Sequence, residues 1–169
     1  MPAPPTVRRQ SARRERRFVR TAGFFRALPP RVEAALPVQM RGVRHRARSS
    51  QAQWFFDDPR LHFEAWWHAN NGRLELGLHL EAEPAINDRI ANGLAGQLLM
   101  IKARLGQQLD LEPWDRGWVR LYETYAIEVF DAAQIKRTAS RMAELISVIW
   151  PMCQEIRKGD AKIRLAERE

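Results

Sequence analysis

The chain has 169 residues, 45% of them hydrophobic, and its six Trp and seven Phe can fill the core of one domain. No apolar run approaches the ~18 residues of a membrane span. The lone cysteine, Cys153, excludes an internal disulfide framework and fits a reducing cytoplasm. The net charge of +8 is unevenly spread: residues 1–60 hold fourteen Arg, no Lys and four acids, a surplus of +10, whereas residues 61–169 carry −2. Basic character therefore belongs to the N-terminal arm, which points to a polyanion partner.

Residues 1–47 read as that arm, rich in Arg and Pro and expected to be poorly ordered. Its apolar stretch FVRTAGFFRAL is interrupted by Arg20 and Arg26 and does not make a secretory signal. Pro29-Pro30 predicts the start of a short helix, RVEAAL, that Pro37 ends. A single domain is expected over residues 48–158, followed by a charged tail, residues 159–169.

Gln51–Phe56 reads as a strand, and Asp57-Asp58-Pro59-Arg60 turns it back onto the next segment. Leu61–Ala82 then reads as a β-hairpin turning at Asn71-Gly72, since a type I′ turn needs positive φ at both central residues. That turn predicts cross-strand partners whose numbers sum to 143. One face is wholly apolar and pairs Phe63 with Leu80, Ala65 with Leu78 and Trp67 with Leu76. The other pairs His62 with Glu81, Glu64 with His79, Trp66 with Gly77 and His68 with Glu75.

Past Pro84 the period changes. Ile86, Ile90, Leu94, Leu98, Ile101 and Leu105 form one helical stripe that Gly106 ends. A second hairpin is predicted from Leu109–Trp114 and Trp118–Glu123 around Asp115-Arg116-Gly117, with Pro113 on an edge strand. A long helix follows from Asp131, its N-cap, to about Lys158. The expected fold is α+β: an antiparallel sheet built from β-hairpins with two helices packed on one face, plus the basic arm. Its core should include Phe63, Trp67, Leu76, Leu78, Leu80, Ile90, Leu94, Leu98, Leu145 and Ile149.

Two features carry chemistry. Arg8, Arg9, Arg13, Arg14, Arg16, Arg17, Arg44, Arg46 and Arg48 fit phosphate contacts, because a guanidinium binds phosphate bidentately. An Arg-rich codon bias explains them equally well. His62, Glu64, His79 and Glu81 gather on the polar face of the hairpin, where opposed Cβ atoms stand ~5 Å apart. Two imidazoles and two carboxylates can bind a divalent transition metal or shuttle a proton. The alternative is a solvent-facing strand surface with cross-strand ion pairs, and it is favoured because one flat face rarely surrounds an ion. Trp66 reads as cover for the bare backbone at Gly77.

Gly-rich phosphate loops, HExxH, GxSxG and paired CxxC are all missing. Glu75-Leu76-Gly77 and Glu81-Ala82-Glu83 lack the Lys of a restriction-type nuclease motif. Over roughly residues 48–156, the segments WFFDDPRLHFEAWW, GRLELGLHLEAEPAINDRI and EPWDRGWVRLYE resemble a family of uncharacterised bacterial proteins. More distantly they resemble a domain appended to restriction-like proteins. The resemblance implies an α+β sheet-and-helix fold and assigns no functional residue. The leading expectation is a non-enzymatic cytoplasmic accessory protein, without cofactor, contacting nucleic acid or another polyanion through its arm. The alternatives are a metal-dependent hydrolase using the His/Glu patch and a protein that self-associates as a homodimer.

Overall fold

The computed structural model describes residues 19–166, and side chains as far as residue 159. In chain order the elements are α1 (Thr21–Ala35), β1 (Arg44–Ala47), β2 (Gln51–Phe55), β3 (Leu61–His68) and β4 (Arg73–Leu80), then α2 (Pro84–Ala95), α3 (Leu98–Leu105), β5 (Asp110–Pro113), β6 (Val119–Ala126) and α4 (Ala132–Ala166). The strands form one sheet in the order β1-β2-β3-β4-β6-β5, every neighbouring pair antiparallel. The fold is α+β, with four helices among the described residues where the sequence predicts two packed on the sheet and a short one in the arm. No helix among the described residues is long and apolar enough to cross a membrane.

The extra helices have identifiable causes. α1 begins at Thr21, eight residues before the proline pair read as its start, and runs through Pro29 and Pro30. Phe24, Phe25, Leu28 and Val32 recur at helical spacing and are buried, while Arg26 stays exposed. Residues 21–35 of the basic arm are therefore part of the core, with α1 packed on α4 and on β1 and β2. The helix expected over residues 84–105 breaks at Gly96-Gln97 into α2 and α3. Gly93 lies against α4: a Cβ built there would stand 2.6 Å from the Ile156 side chain.

The main hairpin departs from the expected register. Leu61 faces Leu80, His62 faces His79 and His68 faces Arg73, so partners sum to 141 and the loop has four residues, 69–72. The backbone N–H of Asn71 and of Gly72 both donate to the His68 carbonyl, at 3.2 and 3.0 Å. Gly72 carries the positive φ (67°) and Asn71 does not, so this is not a type I′ turn. Because the slip is two residues, each side chain keeps its face. Its partners change: Glu64 lies opposite Gly77, and Trp66 lies opposite Glu75. Gly77 is needed for a different reason than cover by Trp66. A Cβ there would meet the Leu121 carbonyl oxygen at 2.4 Å, where β6 approaches β4.

The apolar face carries Trp54, Phe63, Leu74, Leu76, Leu78, Leu80 and Leu121, all buried together with Leu145 and Ile149 of α4. Trp67 and Leu98 are only half-buried. Trp67 sits edge-on to Phe130, and Phe56 stacks on Trp150. Asp131 caps α4 by accepting the Gln134 backbone N–H at 2.7 Å.

Candidate metal centre

Alternation along β3 and β4 puts His62, Glu64, Glu75 and His79 on the face away from α4. These four polar side chains are nonetheless 0%, 5%, 1% and 1% exposed. Residues of the flanking strands supply the cover. Gln53 of β2 lies beside Glu64 in register, and Arg120 of β6 lies beside His79. Trp114, at the end of β5, reaches across, with its ring edge-on to His79 at 5.5 Å between centroids and 6.0 Å from Trp66.

Buried polar groups must be partnered, so each hydrogen bond constrains the next. His62 Nδ1 is 2.9 Å from the Pro59 carbonyl oxygen, which can only accept, so Nδ1 carries the proton. In the neutral ring the lone pair then falls on His62 Nε2, which lies 3.0 Å from Gln53 Nε2 and 3.4 Å from Glu64 Oε2. Gln53 donates to Glu64 Oε2 and accepts from Arg46 Nε. His79 donates through Nε2 to Glu75 Oε1 at 2.9 Å, and Arg120 donates to the other oxygen of Glu75 at 2.8 Å. His68 lies 3.1 Å from that same Glu75 oxygen.

Within this cluster one atom is left over. His79 Nδ1 is fully buried and has no hydrogen-bond partner among the described residues. Its nearest carboxylate, Glu81 Oε1, stands at 3.7 Å, too far for a hydrogen bond. As an acceptor this nitrogen is unused, and as an N–H it is orphaned. Orphaned buried polar atoms cost about 1–3 kcal/mol each.

Burial opposes the charged form of His79, but Glu75, Glu81 and Glu64 outweigh it and raise the imidazole to about 9. Burial likewise raises Glu64 and Glu75. For Glu64 the two imidazoles and Gln53 reverse that, and for Glu75 His79, Arg120 and His68 do, so both carboxyls end below their ordinary range.

Ligand atoms of His62, His79 and Glu81 lie within 4.8 Å of one another. Ligands at ~2.0–2.1 Å from a tetrahedral ion stand roughly 3.4 Å apart. Glu81, half-buried, already stands 3.7 Å from His79 Nδ1, close to that spacing. Each histidine already donates its second ring nitrogen, one to a carbonyl and one to a carboxylate, the outer-shell arrangement typical of metal-ligating imidazoles. A cleft of about 270 Å³ opens beside the cluster, lined by Arg46, Arg48, Gln51, Gln53, Glu64, Trp66, Glu81 and Trp114.

The four expected ligands thus gather in one place, with His62 opposite His79 where the predicted register set each against a carboxylate. Of the nine arginines, Arg44 and Arg46 lie on β1 and Arg48 directly after it. Arg44 is bound to the Phe56 and Asp57 carbonyls and lies over the Phe55 ring, leaving Arg46 and Arg48 on the cleft. Arg8, Arg9, Arg13, Arg14, Arg16 and Arg17 fall outside the described residues. The sequence reading missed Gln53 and Arg120. Alternation in Val119–Glu123 puts Arg120 and Tyr122 on the polar face, but nothing local reveals that β6 pairs with β4. Comparisons with protein-family models, with curated proteins and with solved structures return no match for this chain.

Proposed function

We propose that the open face of the sheet holds a divalent transition-metal ion, bound by His62 Nε2, His79 Nδ1 and the Glu81 carboxylate, as the centre of a metal-dependent hydrolase. The unpartnered, buried His79 Nδ1 beside Glu81 carries this reading. Two imidazoles and one carboxylate with a further position open are a familiar ligand set for catalytic zinc. The ion would supply Lewis acidity beside the cleft, which Glu81 and Glu64 line. Glu64 lines the cleft and is held as a carboxylate, which suits it to accept a proton from an attacking water. Arg120 and Glu75 fix the ring plane of His79.

Calorimetric titration of Zn²⁺ into chelator-treated protein, purified without a His-tag, tests the reading. One ion per chain is expected. His62→Gln and Glu81→Gln should each weaken binding at least tenfold, and His45→Gln on the edge strand should not. Glu64→Gln should keep the ion and lose chelator-sensitive hydrolysis of an activated phosphodiester. No binding, or equal binding by Glu81→Gln, overturns the metal centre.

A further inference from the structure

The cleft has walls as well as a floor, and their chemistry narrows what enters it. Arg46 and Arg48 are exposed at one rim. Trp66 and Trp114 form an indole wall, each half-buried and so presenting part of its ring. Arg120, paired with Glu75 and Glu112, lies over Trp114 at 5.3 Å and over Tyr122 at 4.0 Å and holds that indole in place. His68 lies against Trp66 at 4.1 Å and Arg120 over Trp114, so the rings offer the cleft their remaining exposed surface. Guanidiniums beside such aromatic surface form the pattern that binds unpaired nucleotides: the cations take the backbone and the rings take the bases. A duplex offers no exposed base face to an indole. A plain dicarboxylate or inorganic phosphate would leave the tryptophans unused.

Charge makes the metal part of this argument. Among the lining side chains Glu64 and Glu81 offset Arg46 and Arg48. A divalent ion bound beside them, displacing at most the one proton of His79, adds at least one positive charge, so occupancy of the centre should strengthen anion binding. The +10 surplus of residues 1–60 adds long-range attraction of the same sign.

We infer that this cleft binds a nucleotide unit of single-stranded nucleic acid, with phosphate at Arg46 and Arg48 and base stacked on Trp66 and Trp114. The inference rests on the metal-centre reading for its charge balance, and the test separates the two. Zinc affinity is measured first, without nucleic acid. A fluorescent twelve-residue oligothymidylate is then titrated into the full chain, with Zn²⁺ or with chelator, at several salt concentrations.

Expected is binding at least tenfold tighter with Zn²⁺. Arg46→Gln/Arg48→Gln should weaken it about tenfold and flatten the salt dependence by more than one unit, since single strands release about 0.7 counterion per phosphate contacted. Trp66→Leu should also cost about tenfold, with thermal melting unchanged for both variants. All variants keep the arginines of residues 1–18, so non-specific attraction by them cancels. Displacement of the strand by thymidine monophosphate supports the site with free nucleotides as its source; displacement by unlabelled oligothymidylate alone supports it with a strand. Zinc binding without zinc-enhanced oligonucleotide binding overturns the inference and spares the metal centre. No zinc binding overturns both. An Arg46→Gln/Arg48→Gln variant that binds like the parent assigns the affinity to other basic residues and overturns it as well.

Discussion

Each face of the sheet buries carboxylates, and the two faces satisfy them differently. On the helix-covered face Glu123 accepts from two Arg141 nitrogens, at 2.6 and 2.7 Å, with Gln108 at 2.9 Å and the Tyr125 hydroxyl completing its donors. Every lone pair has a donor, and the cluster links β6 to α4. On the open face Glu64 and Glu75 are as deeply buried, yet the network around them ends at a nitrogen with no partner. A network that only stabilises tends to close on itself. The helix-covered face also leaves a buried donor unpartnered, Trp54 Nε1, but that atom lies in the apolar core, whereas His79 Nδ1 lies beside a carboxylate.

The helix-covered face should dominate stability. Trp54→Ala removes a fully buried indole and should cost about 3–5 kcal/mol by urea denaturation. Trp67→Ala should cost less, since that ring is only half-buried. Arg141→Met leaves Glu123 uncompensated at 0% side-chain exposure and should cost about 3–5 kcal/mol. A loss under about 1 kcal/mol would mean that the pair is held open to water, and the contrast between the faces would disappear.

Alternation and burial made the faces of the sheet legible in the sequence, because a period of two survives any even slip. The register was not, for the same reason: Ala65 meets an apolar partner whether it faces Leu78 or Leu76. What decided it was loop conformation, since Asn71-Gly72 accommodates a four-residue loop as readily as the tight turn. α1 was hidden by Pro29-Pro30, which break a local pattern that Phe24, Phe25, Leu28 and Val32 restore over four turns. The four candidate residues His62, Glu64, His79 and Glu81 were legible as residues on one face. Their depth was not, because burial came from Gln53, Arg120 and Trp114, brought in by long-range strand order.

The open face should reveal itself in pH. In the metal-free chain His79 titrates at about 9 when folded, against 6.5 for its ordinary value. Glu64, Glu75 and Glu81 face it with His62 and Arg120, and the carboxylates favour its charged form. Its contribution to stability is therefore complete below about pH 6.5 and is lost as pH rises through about 9. Melting temperature should decline over that window, and His79→Gln should flatten the decline. With saturating Zn²⁺ the sign reverses, because the ion needs the neutral imidazole and competes with its proton. A metal-free profile that is level from pH 6.5 to 9 would show that the carboxylates do not charge this histidine.

The smallest effect on stability separates the faces most sharply. Glu81 is 24% exposed at its side chain and touches His79 only at 3.7 Å, so Glu81→Gln should cost the metal-free protein under about 1 kcal/mol. Compare Glu123→Gln, which strips a charge from beneath Arg141 and should be felt at once in melting. In zinc the comparison inverts. The parent should gain stability with rising Zn²⁺ concentration, as any ligand of the native state imposes. Glu123→Gln should show the same gain from its lower baseline, whereas Glu81→Gln should gain little. A Glu81→Gln chain that zinc stabilises as much as the parent would place the ion elsewhere and return the open-face histidines to a purely structural role.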